Sequence, residues 1–321
     1  MATVNSDETL VRAGNFFSLL AFWKNPRQAA EVWDRLKDYV DVSLPLDQDA
    51  LSVLGRLDID AVALRSSFDA ARRSFDNLSS TDLILELGQA RYPRLLSAVA
   101  DAPRFLFVRT NDLSIFDLPA IAVVGTRHPT DEGKRRAHKL AYLLAKRGIA
   151  ISSGLASGID TSAHMGALDF DGKTIGVIGT PVTASYPKEN AELQRTVGRV
   201  GALVSQFHPG AVTTRLSFPL RNATMSGLSL GTVIVEAGET SGALIQAQHC
   251  LSQGRKLFIP RSAVENEALA WPKKYLELGA IEFSTIEDLV DALDREKLLP
   301  PQLSAAAVAQ VEVYPAHAVG G

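Results

Sequence analysis

Ile121-Ala122-Val123-Val124-Gly125-Thr126-Arg127-His128-Pro129-Thr130 is the stretch that decides the fold. Four apolar residues run directly into a glycine, and from Thr130 to Arg147 an apolar side formed by Leu140, Leu143 and Leu144 keeps helical spacing. A short apolar run closed by glycine and followed by such a helix reads as a buried strand feeding a crossover. The unit then recurs. Ile149 to Ile151 precedes Gly154, Gly158 and a helix through Leu168; Thr174 to Ile178 ends at Gly179. Ala202 to Val204, Thr232 to Val235 and Leu257 to Ile259 are three further runs of the same kind. Together they predict an α/β fold with a mostly parallel sheet covered on both faces. Ligands of such sheets bind beyond the carboxyl ends of the strands, where these glycine-bearing loops gather.

Upstream, the period is helical. Phe16, Phe17, Leu19, Leu20 and Trp23 precede Pro26, and Ala29, Val32, Trp33, Leu36 and Val40 repeat at helical spacing. Pro45 and Gly55 interrupt before another helical run from Ala61 to Phe75. The expected organisation is a small helical module over residues 1–85, an α/β domain over 86–297 and a flexible Pro- and Ala-rich tail over 298–321. The helical module holds no catalytic constellation, and its acidic balance favours packing or protein contact.

Composition bounds the function classes. The chain has 321 residues, 46% hydrophobic and 21% charged, as in a soluble globular protein. Its single cysteine, Cys250, excludes a disulfide framework and a cysteine-rich zinc site. The start lacks the basic flank and apolar core of a secretory signal, and no apolar run reaches the roughly 20 residues needed to span a bilayer. A cytoplasmic protein is expected. Net charge is −3, which argues against an indiscriminate nucleic-acid coat. Residues 1–119 carry 13 Lys+Arg against 17 Asp+Glu, and residues 120–321 carry 20 against 19, so a polyanion site belongs to the second part. Lys134, Arg135, Arg136, Lys139, Lys146 and Arg147 lie along one predicted helix and read as a solvated face.

The loops carry the candidate chemistry. Gly125-Thr126-Arg127 combines close backbone approach, a helix start and a charge, which is an anion site; a tight strand-to-helix turn is the alternative. Neither the dinucleotide fingerprint nor a P-loop is present. Ser153-Gly154 lies in the stretch SSGLASGIDTSAH (152–164), where Asp160 and His164 read as a backbone cap and an internal hydrogen bond, or as acid–base machinery. Gly179-Thr180 opens a third loop that runs through Tyr186-Pro187-Lys188-Glu189-Asn190. Phe218-Pro219-Leu220-Arg221-Asn222 reads as a loop between strands, with a ring for base stacking and a planar fork for phosphate. Glu236, ahead of Ser241 and Gly242, can bind a ribose, hydrolyse an N-glycosidic bond, or hold the loops by accepting backbone N–H bonds.

In order, VVGTRHPT, SSGLASGIDTSAH, IGT with YPKEN, FPLRN with GLS, TVIVEAGETSGALI and QGRKLFIP resemble the DprA/Smf family of DNA-processing proteins. Arg91-Tyr92-Pro93-Arg94 and Ala102-Pro103-Arg104-Phe105 extend the resemblance upstream, so that it covers roughly residues 88–295. It implies an extended Rossmann-like fold that binds single-stranded DNA, acts as a homodimer without catalysis or cofactor, and hands DNA to the RecA recombinase. Carried over by position, Arg127 and Arg221 grip phosphates while Gly125, Gly154, Gly179 and Gly242 admit the strand; Thr126, Ser153, Thr180, Phe218, Asn222 and Ser241 complete the candidate set.

The chain departs from the family pattern at Ser157 and Ala223, where basic residues are common, and at Pro181 and Arg261, where glycine is usual. Each missing cation removes a phosphate contact. The tail leaves no room for the winged-helix domain of some members. Two other functions stay open: a nucleotide-binding phosphoribohydrolase-like enzyme with Glu236 as acid–base, and an antitoxin-like or phage-defence interaction protein. For the dimer, Tyr275, Leu276, Leu278, Ile281 and Phe283 form an apolar late edge, unless they pack beneath the helix from Ile286 to Leu293.

Overall fold

The computed structural model describes residues 5–49 and 59–303. The chain divides into two compact units, one formed by residues 1–113 and 175–224 and the other by 114–174 and 225–321.

In the first unit the longer helices α1 (Asp7–Trp23), α2 (Pro26–Leu36) and α3 (Ala61–Ser74) come before strands β1 (Asp82–Glu86) and β2 (Phe105–Thr110). Each helix opens on a side-chain cap: Ser6 accepts from the Thr9 amide, Asn25 from Arg27 and Gln28, and Asp60 from Val62. β1 runs antiparallel to β2, and β2 antiparallel to β6 (Ala202–Ser205). β6 in turn runs parallel to β5 (Thr174–Val177). Helix α6 (Ala191–Val200) connects β5 to β6, and α7 (Ser217–Gly227) follows.

The N-terminal helices are sheet covering. Phe16 and Phe17 of α1 meet Phe105 and Phe107 of β2 with ring centroids 5.4 and 5.6 Å apart, and Trp33 of α2 stands 5.7 Å from Phe105. Burying each ring contributes about 1.5–3 kcal/mol. One bidentate ion pair reinforces the contact and another ties β1 to β2. Arg12 of α1 donates Nε and Nη2 to Glu86 at 2.7 Å each, and Arg109 donates to its register partner Asp82 at 2.7 and 2.8 Å.

The second unit holds a parallel sheet. Its strands are β3 (Ala120–Val124), β4 (Ala150–Ser153), β7 (Gly231–Ile234), β8 (Lys256–Pro260) and β9 (Ile281–Phe283). β3 pairs with β4 and β7, β7 with β8, and β8 with β9, all parallel. Helices α4 (Asp131–Lys146), α5 (Ile159–Asp169), α8 (Ala243–Ser252), α9 (Trp271–Glu277) and α10 (Ile286–Arg295) accompany it. A Cβ on Gly166 would lie 2.1 Å from the His138 carbonyl oxygen, so glycine is what lets α5 approach α4.

All six apolar runs read from the sequence are strands, and the fold is α/β with mostly parallel pairing. The late apolar edge is less exposed than expected: Tyr275 and Phe283 are buried, and Leu278 is 58% exposed. Of the expected tail, Pro301–Leu303 forms a 3-10 turn, while residues 304–321, like Gly55 upstream, lie outside the described residues. Among the described residues no helix is long and apolar enough to cross a membrane.

Candidate nucleic-acid interface

The candidate residues fall into two sets, one on each unit. In the second unit they lie where β3, β4 and β7 end. Gly125 leaves β3 so close to the next loop that a Cβ there would sit 2.6 Å from both the Glu236 carbonyl oxygen and Ile159 Cγ1. The Thr126 amide donates to that carbonyl at 2.7 Å, which ties the loops after β3 and β7 together. Arg127, next in the chain, is exposed.

Glu236 is committed to helix α4. One oxygen accepts the Thr130 amide at 3.0 Å and the other the Thr130 hydroxyl at 2.7 Å; Thr130 Oγ1 in turn accepts from the Gly133 amide at 2.9 Å. A carboxylate at a helix N-terminus is favoured by the unpaired N–H groups there. Of the three roles open to Glu236, the geometry favours holding the loops.

In the loop after β4, Ser153 is fully buried and its hydroxyl donates to the Val123 carbonyl at 2.7 Å. Gly154 is buried as well, and Asp160 Oδ2 accepts its amide at 3.1 Å and that of Ala156 at 3.3 Å. These bonds bracket Leu155, held in the left-handed region at φ 56°, a conformation that costs an ordinary side chain about 1–3 kcal/mol. His164 donates or accepts at Nδ1 with Thr174 Oγ1 at 2.7 Å, and because that hydroxyl donates to the Ile151 carbonyl, Nδ1–H is the donor. Asp160 and His164 therefore build the loop. After β7, Ser241 Oγ accepts the Ala243 amide at 3.3 Å, and the space where a Gly242 Cβ would stand is open.

The first unit carries the other set. Phe218 to Asn222 form the first turn and more of α7, not the loop that the sequence suggests; Pro219 is tolerated because first-turn amides have no intrahelical partner. Phe218 lies over Gly179, where a Cβ would come within 2.9 Å of its ring, and its centroid is 5.4 Å from that of Tyr186. Tyr186 is 48% exposed. Arg221 is 6% exposed and donates Nη1–H to the Val177 carbonyl at 2.6 Å and Nε–H to Asn222 Oδ1 at 3.0 Å. Thr180 is buried, and its carbonyl accepts the Ser205 hydroxyl at 2.7 Å.

Three residues outside the candidate set adjoin it, by contact or in the chain. Tyr186 supplies the exposed half of the aromatic pair. Lys188, two residues on, and Arg215, three residues before Phe218, are exposed and carry no ion pair among the described residues. The sequence signal was present in the tyrosine and the cations, but only the contact between Tyr186 and Phe218 joins the loop after β5 to α7.

The family model for DNA recombination-mediator protein A matches residues 83–294. The chain belongs to that family, DprA/Smf. DprA of Bacillus subtilis (strain 168) is 31% identical over 258 residues, covering 79% of this chain and 87% of that protein. DprA of Streptococcus pneumoniae is 41% identical over 175 residues, covering 54% of this chain and 61% of its own length, and Smf of Escherichia coli K12 is 36% identical over 203 residues, covering 63% and 54%. Among solved structures, that of Streptococcus pneumoniae DprA superposes with a TM-score of 0.64 at 30% identity, covering 72% of this chain and 81% of that one. A Helicobacter pylori DprA structure, which describes a single-stranded DNA binding mode, gives 0.59 at 26% identity, covering 67% and 96%.

Two departures from the DprA/Smf pattern have a structural setting. Pro181 is buried, and Arg261 is paired with Glu282 at 2.6 Å, which raises its already high pKa further and occupies its charge.

Proposed function

We propose that this DprA/Smf protein binds single-stranded DNA passively and presents it to a recombinase. The carrying observation is the exposed ring of Tyr186 against Phe218, flanked in the chain by Lys188 and Arg215, exposed cations with no ion pair among the described residues. An aromatic face with nearby cations stacks bases and neutralises phosphates with little sequence preference, each stacked base being worth about 1–3 kcal/mol. Arg127, on the second unit, is a separate exposed candidate beside a helix start. The single-stranded DNA binding of the Helicobacter pylori relative supports the same reading.

Arg221 enters this proposal differently from the phosphate grip that its motif suggests. Its bond to Val177 makes it the anchor that holds α7, and with it Phe218, against β5. A passive role also fits Glu236, whose two oxygens already serve the α4 N-terminus rather than a reacting proton. We further propose a homodimer through the second unit, where exposed Leu278 and Ile245 lie on elements joined by the Tyr275 hydroxyl bond to the Leu244 carbonyl at 3.0 Å.

Fluorescence anisotropy with a labelled oligonucleotide tests the binding site. Tyr186→Ala and the double change Lys188→Ala/Arg215→Ala should each weaken binding about tenfold or more. Wild-type affinity in both variants would remove this surface from the DNA path.

A further inference from the structure

A second surface of this chain has the composition of a peptide groove. In the second unit α4, the start of α10 and the 3-10 turn at Pro301–Leu303 enclose an open cleft of about 1120 Å³. Its walls are aliphatic where Leu140, Leu143, Ile286 and Leu303 face it. Lys139, Leu143 and Lys146 follow one another at i, i+4 and i+7, so one stripe of α4 presents an apolar residue between two cations.

Charge decides what fits. The arginines along the cleft are already paired: Arg136 with Glu132 at 2.9 Å, a carboxylate it shares with Arg135, Arg147 with Glu287, and Arg261 with Glu282 at 2.6 Å. Lys139 and Lys146 are exposed and have no ion pair among the described residues, and Glu265 is the remaining acid on the lining. Because two uncompensated cations outnumber one acid on an aliphatic floor, the complement is acidic and apolar at once. Nucleic acid is a poorer match, because the one ring on the lining, Phe283, is 8% exposed and offers no face for stacking.

We propose that this cleft docks an acidic amphipathic segment of a partner protein, its aliphatic side chains against Leu140, Leu143 and Leu303 and its carboxylates on Lys139 and Lys146. A helix laid in a groove with apolar anchors at i, i+3 or i+4 is the recognition mode that this lining matches. The proposal is independent of the DNA-binding residues above. None of Tyr186, Phe218 and Arg127 lines the cleft.

The test is panning of a phage-displayed random library of peptides about twelve residues long on the full chain, with depletion on the Lys139→Glu/Lys146→Glu variant. Enriched sequences should carry two or more Asp or Glu around Leu, Ile or Phe. A synthetic copy should lose about tenfold or more in affinity on Lys139→Glu/Lys146→Glu, and likewise on Leu143→Asp, with thermal melts showing both variants folded. Oligonucleotide affinity should stay at the wild-type value in both. No enrichment over the depleted variant, or enriched peptides without acids, would overturn the proposal. Loss of oligonucleotide binding in Lys139→Glu/Lys146→Glu would overturn it too, by making the cleft a nucleic-acid surface.

Discussion

Arg221 spends a guanidinium hydrogen bond on the carbonyl of Val177, 2.6 Å away and inside the first unit. An arginine in a Phe-Pro-Leu-Arg-Asn motif invites a phosphate-binding role, yet this one is buried within α7 and bonds that helix to the end of β5. Phe218, from the same motif, is half-buried against the exposed ring of Tyr186.

Arg221→Ala should therefore be a stability variant first. Losing a charge-assisted bond and leaving the Val177 carbonyl without it should cost about 1.5–3 kcal/mol, seen as a lower urea midpoint with an unchanged slope. Oligonucleotide binding should fall with it, because Phe218 loses its support. Full stability combined with lost binding would restore Arg221 to the phosphate-gripping role.

Glu236→Ala should lower stability by about 0.5–2 kcal/mol, the usual range for a lost helix cap, because Thr130 would lose its acceptor. Incubation of the wild-type protein with nucleoside monophosphates, followed by chromatography, should release no free base. Base release by wild type that disappears in Glu236→Gln would place the protein with the phosphoribohydrolase-like enzymes.

His208 gives the first unit a pH dependence. It packs 4.8 Å from the Phe17 ring and accepts the Gly210 amide at 3.2 Å, and burial pushes its pKa down to about 4. As the pH falls below about 6.5 the unfolded chain takes up a proton that the folded chain refuses until near 4. Stability should thus be lost across that window, by on the order of 2–3 kcal/mol. Urea melts at neutral pH and at the acid end of the window, on wild type and His208→Gln, measure it. An equal loss in the variant would mean that other groups carry the effect.

Leu278→Asp should convert the proposed homodimer to a monomer in light scattering coupled to size exclusion. A wild-type mass near 34.5 kDa at every concentration would show that no dimer forms.

The strands legible in the sequence are those whose apolar runs end in glycine or turn residues, β3 through β8. β1 and β2 were hidden because Asp82, Glu86 and Arg109 break the apolar pattern, and their charges are satisfied only by a cross-strand partner and by Arg12, 74 residues away in the chain. β9 is three residues long, too short for any period to declare itself. At the candidate site, the close approach at Gly125 and the backbone bonds of Asp160 could be read from spacing, since each depends on the adjacent strand end. Ser153 and Arg221 could not, because their burial depends on Val123 and Val177 in other strands. The pairing of Tyr186 with Phe218 across 32 positions likewise has no local signature.

Passive binding of single-stranded DNA is the central claim, and an anisotropy titration of the wild-type protein against labelled single strands, repeated over a range of salt, tests it most directly. The account predicts saturable binding at low salt that weakens log-linearly as salt rises, with a slope near −0.7 for each phosphate neutralised, so about −1.4 if Lys188 and Arg215 both take part. Absence of saturable binding at low salt, or binding indifferent to salt, would contradict it.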